Sequence, residues 1–245
     1  MTLDIIKLSA IASTNTYVKE IIKQELVKPN TVVWTDNQTH GRGQHGNPWY
    51  AEPNSSLACS IYRDFSQHPD CWAFMPSMLV ALSVKKVLDA LEIPGVSIKW
   101  PNDIMSYNKK IGGILIENIW THGKPTHRII GVGLNVNNLE LPELPQASSL
   151  RIITGKLFNI EQMVHDLATS IVAFYNAFKV VDQQQYYEQY LAVLFKKDTV
   201  STFTSLDGKQ FQAIIKGVTP NGLLELELED ESRQCFDLKT LKMHY

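Results

Sequence analysis

The chain has 245 residues, of which 44% are hydrophobic and 20% are charged, and its 23 lysines and arginines face 25 acidic residues for a formal net charge of -2. This length suits one large domain, with or without a small appendage. The charge balance lacks the basic excess of a nucleic-acid-binding protein, and no apolar run approaches the roughly 18 residues of a membrane span.

The N-terminal part predicts a helix, a strand and a long loop. Segment 13–16 (Ser-Thr-Asn-Thr) is typical of a helix start, because such side chains cap free backbone N–H groups. Apolar residues at helical spacing follow it, and Pro29 ends this helix. The β-branched segment 31–35 predicts a strand. Segment 37–54 contains three glycines and predicts a long loop, which in a compact domain is usually functional.

The middle of the chain predicts the body of a sheet and one buried helix. Strands are expected at 56–62 and at 96–100, with the second ending at Pro101, and a helix is expected at 75–91. Two apolar, β-rich runs, at 112–120 and 127–136, are separated by a turn-like segment and predict an antiparallel hairpin.

The C-terminal part changes from helices to short strands. Asn159 is typical of a helix N-cap, and a second helix is expected at 182–195. From Lys197 onward, four short alternating runs, at 199–204, 211–217, 223–228 and 233–237, predict a small barrel of the SH3 type. The predicted domains are therefore 1–196 and 197–245. The predicted fold class is α+β, with a mixed, mostly antiparallel sheet, helices packed on it and the small barrel at the end.

The cysteines and the N-terminal residues indicate the cellular compartment of the protein. The three cysteines include no Cys-x-x-Cys pair, which argues against a disulfide framework or a zinc site. The first residues do not form a signal peptide. The sequence therefore predicts a cytoplasmic protein.

Three segments contain residues suited to ligand chemistry, and the first is the loop 38–49. Gly41 and Gly43 flank Arg42, so that backbone N–H groups can approach a ligand beside a planar cation that suits carboxylate or phosphate oxygens. Trp49 offers a flat face on which a purine could stack. A flexible surface loop whose tryptophan is tucked into the core would explain the same pattern.

The second segment runs from Lys99 to Glu117. We expect Asn102 and Asp103 at the tip of a strand, where a carboxylate could hold hydrated Mg²⁺ together with substrate phosphates. Lys110 stands just before an apolar strand, and its amine could point into a cleft. A simple turn followed by solvated lysines is the alternative interpretation.

The third segment is 129–137. Gly131 and Gly133 alternate in an apolar strand, which removes side chains from one face and indicates close approach of a ligand or of another backbone. Asn135 falls on the same face and could hydrogen-bond a polar ligand. A tight crossing of the sheet with a helix would also require these glycines.

Taken together, in order and spacing, these motifs resemble the catalytic domain of biotin–protein ligases. The resemblance rests on Ser-Thr-Asn at 13–15, the Gly-Arg-Gly loop at 41–43 with its tryptophan, Lys-Trp-Pro-Asn-Asp at 99–103, Lys-Ile-Gly-Gly-Ile-Leu-Ile-Glu at 110–117 and Gly-Val-Gly-Leu-Asn at 131–135. It is strong from about residue 4 to 137. It is weaker through the later helices and the barrel, which the family also has, and it implies a sheet of the class II synthetase type.

The resemblance implies a two-step activity that uses ATP and biotin with Mg²⁺. Biotinyl-5′-AMP forms with release of pyrophosphate, and biotin then passes to a lysine of a biotin carboxyl carrier domain. Arg42 and Lys110 are the implied catalytic residues. The implied ligand-contacting residues are Ser13, Thr14, Asn15, Gln38, Gly41, Arg42, Gly43, Trp49, Asn102, Asp103, Lys110, Gly113, Gly131, Gly133 and Asn135.

The resemblance also implies which part of biotin or of the nucleotide each of these residues contacts. Ser13, Thr14 and Gln38 would meet the ureido ring of biotin, while Gly113 and Gly131 would line its channel. Arg42 and Lys110 would lie at the biotin carboxylate and the α-phosphate. Trp49 would flank the adenine or the tail of the intermediate. Asn102, Asp103 and Asn135 would face the nucleotide, with Asp103 as the expected magnesium contact.

Gln44 stands where many relatives have arginine, so this loop is less positive, and the sequence leaves open how tightly it retains the adenylate. Some relatives have an N-terminal DNA-binding domain. Here the Ser-Thr-Asn motif begins at Ser13, so we expect no DNA-binding role. A lipoate–protein ligase and a non-enzymatic binding module remain the alternative functions. The sequence leaves monomer or homodimer open.

Overall fold

The computed structural model describes residues 2–66, 71–121 and 123–244, which form strands and helices in an α+β arrangement. The elements in chain order are β1 (Asp4–Leu8), α1 (Thr14–Lys23), β2 (Thr31–Thr35), β3 (Gly41–Arg42), β4 (Pro48–Trp49), β5 (Ser56–Asp64), α2 (Met75–Ala90), β6 (Val96–Lys99), β7 (Asp103–Ser106), β8 (Lys109–Thr121), β9 (Lys124–Asn135), α3 (Leu150–Thr154), α4 (Ile160–Ala177), α5 (Gln183–Ala192), β10 (Val200–Ser205), β11 (Gln210–Val218), β12 (Leu224–Glu227), β13 (Arg233–Phe236) and β14 (Leu241–Met243).

Seven strands form one large sheet in the order β1-β2-β5-β9-β8-β7-β6. Strand β1 runs parallel to β2, whereas the other neighbouring strands are antiparallel. The predicted hairpin is confirmed as β8 and β9, which pair along most of their length. The sheet is therefore mixed and mostly antiparallel, as the sequence predicted.

The two faces of the large sheet are covered unequally. Along β5, Cys59 and Ile61 point to the main core, where α2 and α4 pack, whereas Tyr62 points to a smaller cluster under α1. This alternation follows from the two-residue period of a strand. Helix α1 has 10 residues, so it covers only part of its face. The uncovered part of that face is the floor of the cavity described below.

The C-terminal strands form a second, antiparallel sheet in the order β13-β12-β11-β10-β14. Among the described residues its two edge strands, β13 and β14, do not pair with each other, so the unit is barrel-like without being closed. It packs on the first part of the chain, where Trp100 Nε1 donates to the Gly222 carbonyl at 2.9 Å. The domain boundary between 196 and 197 stays a prediction.

The strand expected at 96–100 differs from the structure at its end. It stops at Lys99, and the chain turns back through a cis Trp100–Pro101 peptide. Asp103 does not lie at the tip of that strand but opens β7, which has only four residues, too few for a clear alternating pattern. Strand β8 begins at Lys109, so Lys110 lies inside the strand rather than before it.

Several other boundaries also differ from the predictions. Helix α1 ends at Lys23, well before Pro29, and α5 ends at Ala192. The loop at 37–54 is not structureless, because it contains the short β3–β4 hairpin. Strand β1 and helix α3, of five residues each, were not predicted. Within the part of the chain that the structure describes, no helix has both the length and the apolar character needed to cross a membrane.

Candidate active site

A cavity of about 230 Å³ lies on the α1 face of the large sheet, between the glycine-containing loop and the ends of β7 and β8. It brings together residues that lie as far apart in the sequence as Ser13 and Leu238. Of the fifteen residues that the sequence predicted to contact a ligand, thirteen line it: Ser13, Thr14, Asn15, Gln38, Arg42, Gly43, Trp49, Asn102, Asp103, Lys110, Gly113, Gly131 and Gly133. Their individual roles stay predictions.

The floor of the cavity is formed by glycines of β8 and β9. A Cβ atom on Gly131 would lie 2.6 Å from Asn15 Oδ1, and one on Gly133 would lie 2.5 Å from Trp49 Cε2. Both distances are shorter than any real contact of a Cβ atom, so only glycine lets these two side chains rest on the strand. At Gly113 the nearest atoms are 3.7 Å away, an ordinary contact. The alternating glycines thus make room for two side chains of the protein, Asn15 and Trp49, and the predicted approach of a ligand at this face stays a prediction.

One end of the cavity is polar and hydrogen-bonded. Ser13 is the N-cap of α1, and its side chain accepts from the Thr16 N–H. The Thr14 backbone N–H donates to Gln38 Oε1 at 2.9 Å. Ser60 of β5 is fully buried beneath them, with its Oγ 2.7 Å from Thr14 Oγ1 and 2.5 Å from Asn15 Oδ1. This end can offer both donors and acceptors to a compact polar group.

The other end is positively charged. Asp103 is 9% exposed and lies between two lysines, accepting from Lys110 Nζ at 2.5 Å and from Lys99 Nζ at 3.1 Å. Lys110 Nζ also lies 5.8 Å from the centre of a ring of Trp49. Because one carboxylate faces two ammonium groups, this end keeps a net positive charge and suits an anion.

Arg42 supplies a third cation at the rim. It is exposed, and its Nη2 donates to Thr16 Oγ1 of α1 at 2.7 Å. A guanidinium held by a single neutral hydroxyl keeps most of its donors available for carboxylate or phosphate oxygens. The cavity lining thus has three cations, Arg42, Lys99 and Lys110, against the single carboxylate of Asp103.

The surroundings of Asp103 do not suit a resident Mg²⁺. Both of its oxygens accept hydrogen bonds from lysines, and the described residues contain no group of three or more His, Cys, Asp or Glu side chains that could hold a metal ion. Magnesium usually binds through one or two carboxylates together with substrate phosphates. The magnesium contact at Asp103 stays a prediction.

Two of the predicted contact residues lie outside the cavity lining. Asn135 is buried, and its Nδ2 donates to the Ser148 carbonyl at 3.0 Å, which ties the end of β9 to the returning chain. Gly41 lies behind the loop, where a Cβ atom would meet the Trp49 carbonyl oxygen at 2.4 Å. The glycine lets the β3–β4 hairpin close.

The sequence did not predict 11 of the 24 lining residues as ligand contacts, and it also missed two residues beside the cavity, Ser60 and Glu117. Lys99 and Leu238 line the cavity, and Leu238 comes from the C-terminal sheet. Ser60 and Glu117 lie just beside it. Glu117 stands within a quoted motif, and Lys99 opens another, so the signal for both was present. Nothing in the sequence around Ser60 or Leu238 indicates that they come near the site.

Glu117 of β8 binds two residues of α1. Its Oε2 accepts from Asn15 Nδ2 at 2.8 Å and its Oε1 accepts from Lys19 Nζ at 2.7 Å. Partial burial works to raise the pKa of Glu117, but the hydrogen bonds from Lys19 and Asn15, with the charge of Arg42, outweigh it and hold that pKa below its usual value. The carboxylate is therefore ionised at neutral pH.

Comparison with known proteins places this site within a described family. The sequence model of the biotin/lipoate A/B protein ligase family matches residues 8–135, which include the cavity floor and the loop. The bifunctional ligase/repressor BirA of Escherichia coli (strain K12) is 30% identical over 129 residues, which cover 53% of this chain and 39% of that protein. The biotin–[acetyl-CoA-carboxylase] ligase of Mycobacterium tuberculosis is 31% identical over 122 residues, covering 49% and 44%. The matched stretch therefore spans less than half of either relative.

Solved structures match almost the whole chain. The biotin protein ligase from Aquifex aeolicus in complex with biotin and ATP superposes with a TM-score of 0.79 at 24% identity, covering 98% of both chains. The biotin acetyl coenzyme A carboxylase synthetase from Helicobacter pylori with bound biotinylated ATP gives a TM-score of 0.64 at 20% identity, covering 96% of this chain and 100% of that chain. At these identities the likeness establishes the fold, including the C-terminal sheet.

Proposed function

The chain belongs to the biotin/lipoate A/B protein ligase family, and on that premise we propose that it is a biotin–protein ligase, which activates biotin with ATP and transfers it to a lysine of a biotin carboxyl carrier domain. The observation that supports this proposal most is that the two ends of the cavity differ in chemistry. Neutral hydrogen-bonding groups stand at one end and lysines at the other, with glycines between them. Biotin has the same division, with a ureido ring at one end and a carboxylate at the other.

The names of the curated relatives favour biotin over lipoate. The relatives from E. coli and M. tuberculosis are named as a ligase/repressor and as a biotin–[acetyl-CoA-carboxylase] ligase. The polar end around Thr14 and Gln38 also suits a ureido ring better than a dithiolane, which has no strong hydrogen-bonding group. Burying these polar groups against a dithiolane would leave them without partners.

In the first step a carboxylate oxygen of biotin attacks the α-phosphorus of ATP, forming the mixed anhydride while pyrophosphate leaves. Two anions must approach each other, so nearby cations are needed to offset the repulsion and to stabilise the charge of the transition state. Lys110, held in place by Asp103, and Arg42 at the rim would supply these charges. Magnesium, which we expect to enter bound to ATP, would add to this charge neutralisation.

The adenylate must then be protected from water. The loop with Arg42 and Gly43 stands over the cavity, and Trp49 packs on the floor at Gly133. A loop that closes on bound ligand excludes water and keeps the acyl phosphate intact. In the second step the uncharged amine of a carrier lysine attacks the acyl carbon, AMP leaves and the amine loses a proton. This step requires no serine or cysteine nucleophile from the chain.

The identity of the carrier, a cytoplasmic location and the choice between monomer and homodimer stay predictions from the sequence. The activity is tested by biotin-dependent exchange of labelled pyrophosphate into ATP, with lipoate in place of biotin as the control. The proposal expects exchange with biotin in the presence of Mg²⁺ and little with lipoate. A folded preparation that shows exchange only with lipoate, or with neither acid, contradicts it.

A further inference from the structure

Glu117 lies at the end of a chain of buried hydrogen bonds that begins in the polar end of the cavity. Asn15 is 4% exposed and Ser60 is 0% exposed, so neither can replace a lost partner with bulk water. The contacts run from Thr14 through Ser60 and Asn15 to Glu117, at 2.7, 2.5 and 2.8 Å. Three separate elements, α1, β5 and β8, meet in this chain.

The chemistry of the groups fixes the direction of these hydrogen bonds. An ionised carboxylate only accepts, so Glu117 requires the NH₂ group of Asn15 on its side. The Asn15 carbonyl oxygen must then face Ser60 and accept from its hydroxyl. A serine hydroxyl has one hydrogen, so the Thr14 hydroxyl supplies the hydrogen of the 2.7 Å contact with Ser60.

The direction of these hydrogen bonds determines which donors and acceptors remain available to a ligand at the polar end of the cavity. Thr14 Oγ1 also lies 3.2 Å from Gln38 Oε1, but its single hydrogen goes to the shorter contact with Ser60. The Thr14 oxygen therefore offers only lone pairs to a ligand. Gln38 Oε1 accepts from the Thr14 backbone N–H, and the Gln38 NH₂ group lies beside the backbone of Gly41, where it has no hydrogen-bond partner among the described residues and can donate to a ligand. Ser13 Oγ accepts from the Thr16 N–H, so its own hydrogen is also available.

This pattern is complementary to a cyclic urea, whose N–H groups donate and whose carbonyl oxygen accepts. We infer that Glu117 is a positioning residue for the ligand, because it sets the orientation of Asn15 and through it the donors and acceptors at the polar end. The inference rests on the proposed function and assigns recognition of the urea ring in part to a residue outside the cavity lining. Glu117 does not touch the reacting atoms.

Lys19 provides the matched control, because it binds the other oxygen of the same carboxylate at 2.7 Å. Lys19→Met removes the ion pair but leaves the Asn15 contact. Glu117→Gln is made in the Lys19→Met background, because its single amide oxygen would otherwise be drawn to the Lys19 ammonium; there it keeps an acceptor oxygen for Asn15. Glu117→Ala removes that acceptor and lets the Asn15 amide turn over. Only the alanine variant should therefore disturb the hydrogen-bond direction.

The experiment is calorimetric titration of each full-length variant with biotin and, separately, with ATP, alongside its melting temperature. Glu117→Ala should bind biotin about tenfold more weakly, as expected for one lost buried hydrogen bond, while its ATP affinity changes less than about twofold. Lys19→Met alone and Glu117→Gln in the Lys19→Met background should both bind biotin like the native chain.

Three results overturn the inference: unchanged biotin affinity in Glu117→Ala, equal losses for biotin and ATP together with a lower melting temperature, or a loss in Glu117→Gln as large as in Glu117→Ala. Unchanged affinity would mean that Glu117 has no effect on biotin recognition. Equal losses with a lower melting temperature would mean that Glu117 only stabilises the fold. An equal loss in Glu117→Gln would mean that its charge, rather than the acceptor for Asn15, matters for binding. A native chain that binds lipoate but not biotin instead contradicts the proposed function.

Discussion

Trp49 lies on the bare backbone of Gly133, so closely that a Cβ atom there would stand 2.5 Å from Cε2 of the indole. Glycine is required at this position for space, since Gly133 is not among the residues with positive φ. The neighbouring Gly131 accommodates Asn15 in the same way. These two contacts join the loop and α1 to the floor of the cavity, so the position of Trp49 depends on a residue that lacks a side chain.

Gly133→Ala is expected to displace Trp49, because an indole in contact with strand backbone cannot yield to a methyl group at this distance. We expect a loss of stability of about 1–3 kcal/mol, as for other overpacked sites, and slower adenylate formation. The measurements are chemical denaturation and the fluorescence of the tryptophans. For stability, Gly113→Ala is the matched control on the same face and should leave the free energy of unfolding almost unchanged, since its nearest neighbours are 3.7 Å away.

A double-mutant cycle distinguishes this contact from a general effect on β9. Trp49→Ala removes the indole, so Gly133→Ala should cost much less in that background. If the cost of Gly133→Ala is the same with and without Trp49, the contact does not explain the glycine.

Lys110→Ala should reduce the rate of adenylate formation by about a hundredfold, on the order of 3 kcal/mol, by analogy with the loss of one oxyanion donor. The neighbouring Lys109 offers a control, because its Nζ donates to the Pro145 carbonyl and it does not line the cavity. Single-turnover formation of the adenylate measures both variants. Comparable rates for Lys110→Ala and Lys109→Ala would rule out the catalytic role of Lys110.

Asp103→Asn separates two roles for this carboxylate. The structure shows Asp103 binding Lys110 and Lys99, so the variant should slow adenylate formation by about tenfold or more, the range for a lost charged hydrogen bond. The Mg²⁺ concentration that gives half of the maximal rate should stay the same. A large increase in that concentration would instead support the magnesium contact that the sequence predicted.

The pH dependence of stability should reflect Glu117. Its pKa lies below the ordinary value of 4.5 in the folded chain, so its contribution to stability is complete above pH 4.5 and is lost as the pH falls through the lower, folded-state pKa. The melting temperature of the native chain should therefore exceed that of Glu117→Gln by a constant amount above pH 4.5, and the difference should shrink in more acidic buffer. A difference that grows on acidification would contradict the assigned direction.

Much of the site could be predicted because its chemistry is concentrated in short segments. The alternating Gly131 and Gly133 indicate from the sequence alone a strand face without side chains. The glycines on both sides of Arg42 indicate a residue that can approach a ligand. The β8–β9 hairpin follows from two β-rich runs and a turn. These features depend on neighbours within a few residues, which is the range over which sequence patterns are informative.

The remaining features depend on contacts between distant segments. Glu117 meets Asn15 across 102 positions of sequence, and no local pattern indicates that α1 lies on β8. Asp103 was expected at a strand tip facing a metal, whereas the short strand β7 places it between two lysines. Asn135 follows Gly131 and Gly133 at the two-residue period of β9, as predicted. Its side chain, however, donates to the backbone carbonyl of Ser148, in the segment that follows the strand.

The central claim is transfer of biotin to a carrier lysine, and the intact mass of a biotin carboxyl carrier domain measures it most directly. The domain is incubated with the chain, ATP, Mg²⁺ and biotin, and in parallel with lipoate or with the Lys110→Ala variant. The account predicts the addition of one biotinyl group to one lysine, which is fast with the native chain, slow with the variant and absent with lipoate. A carrier domain whose mass does not change with biotin, or which gains a lipoyl group instead, would contradict it.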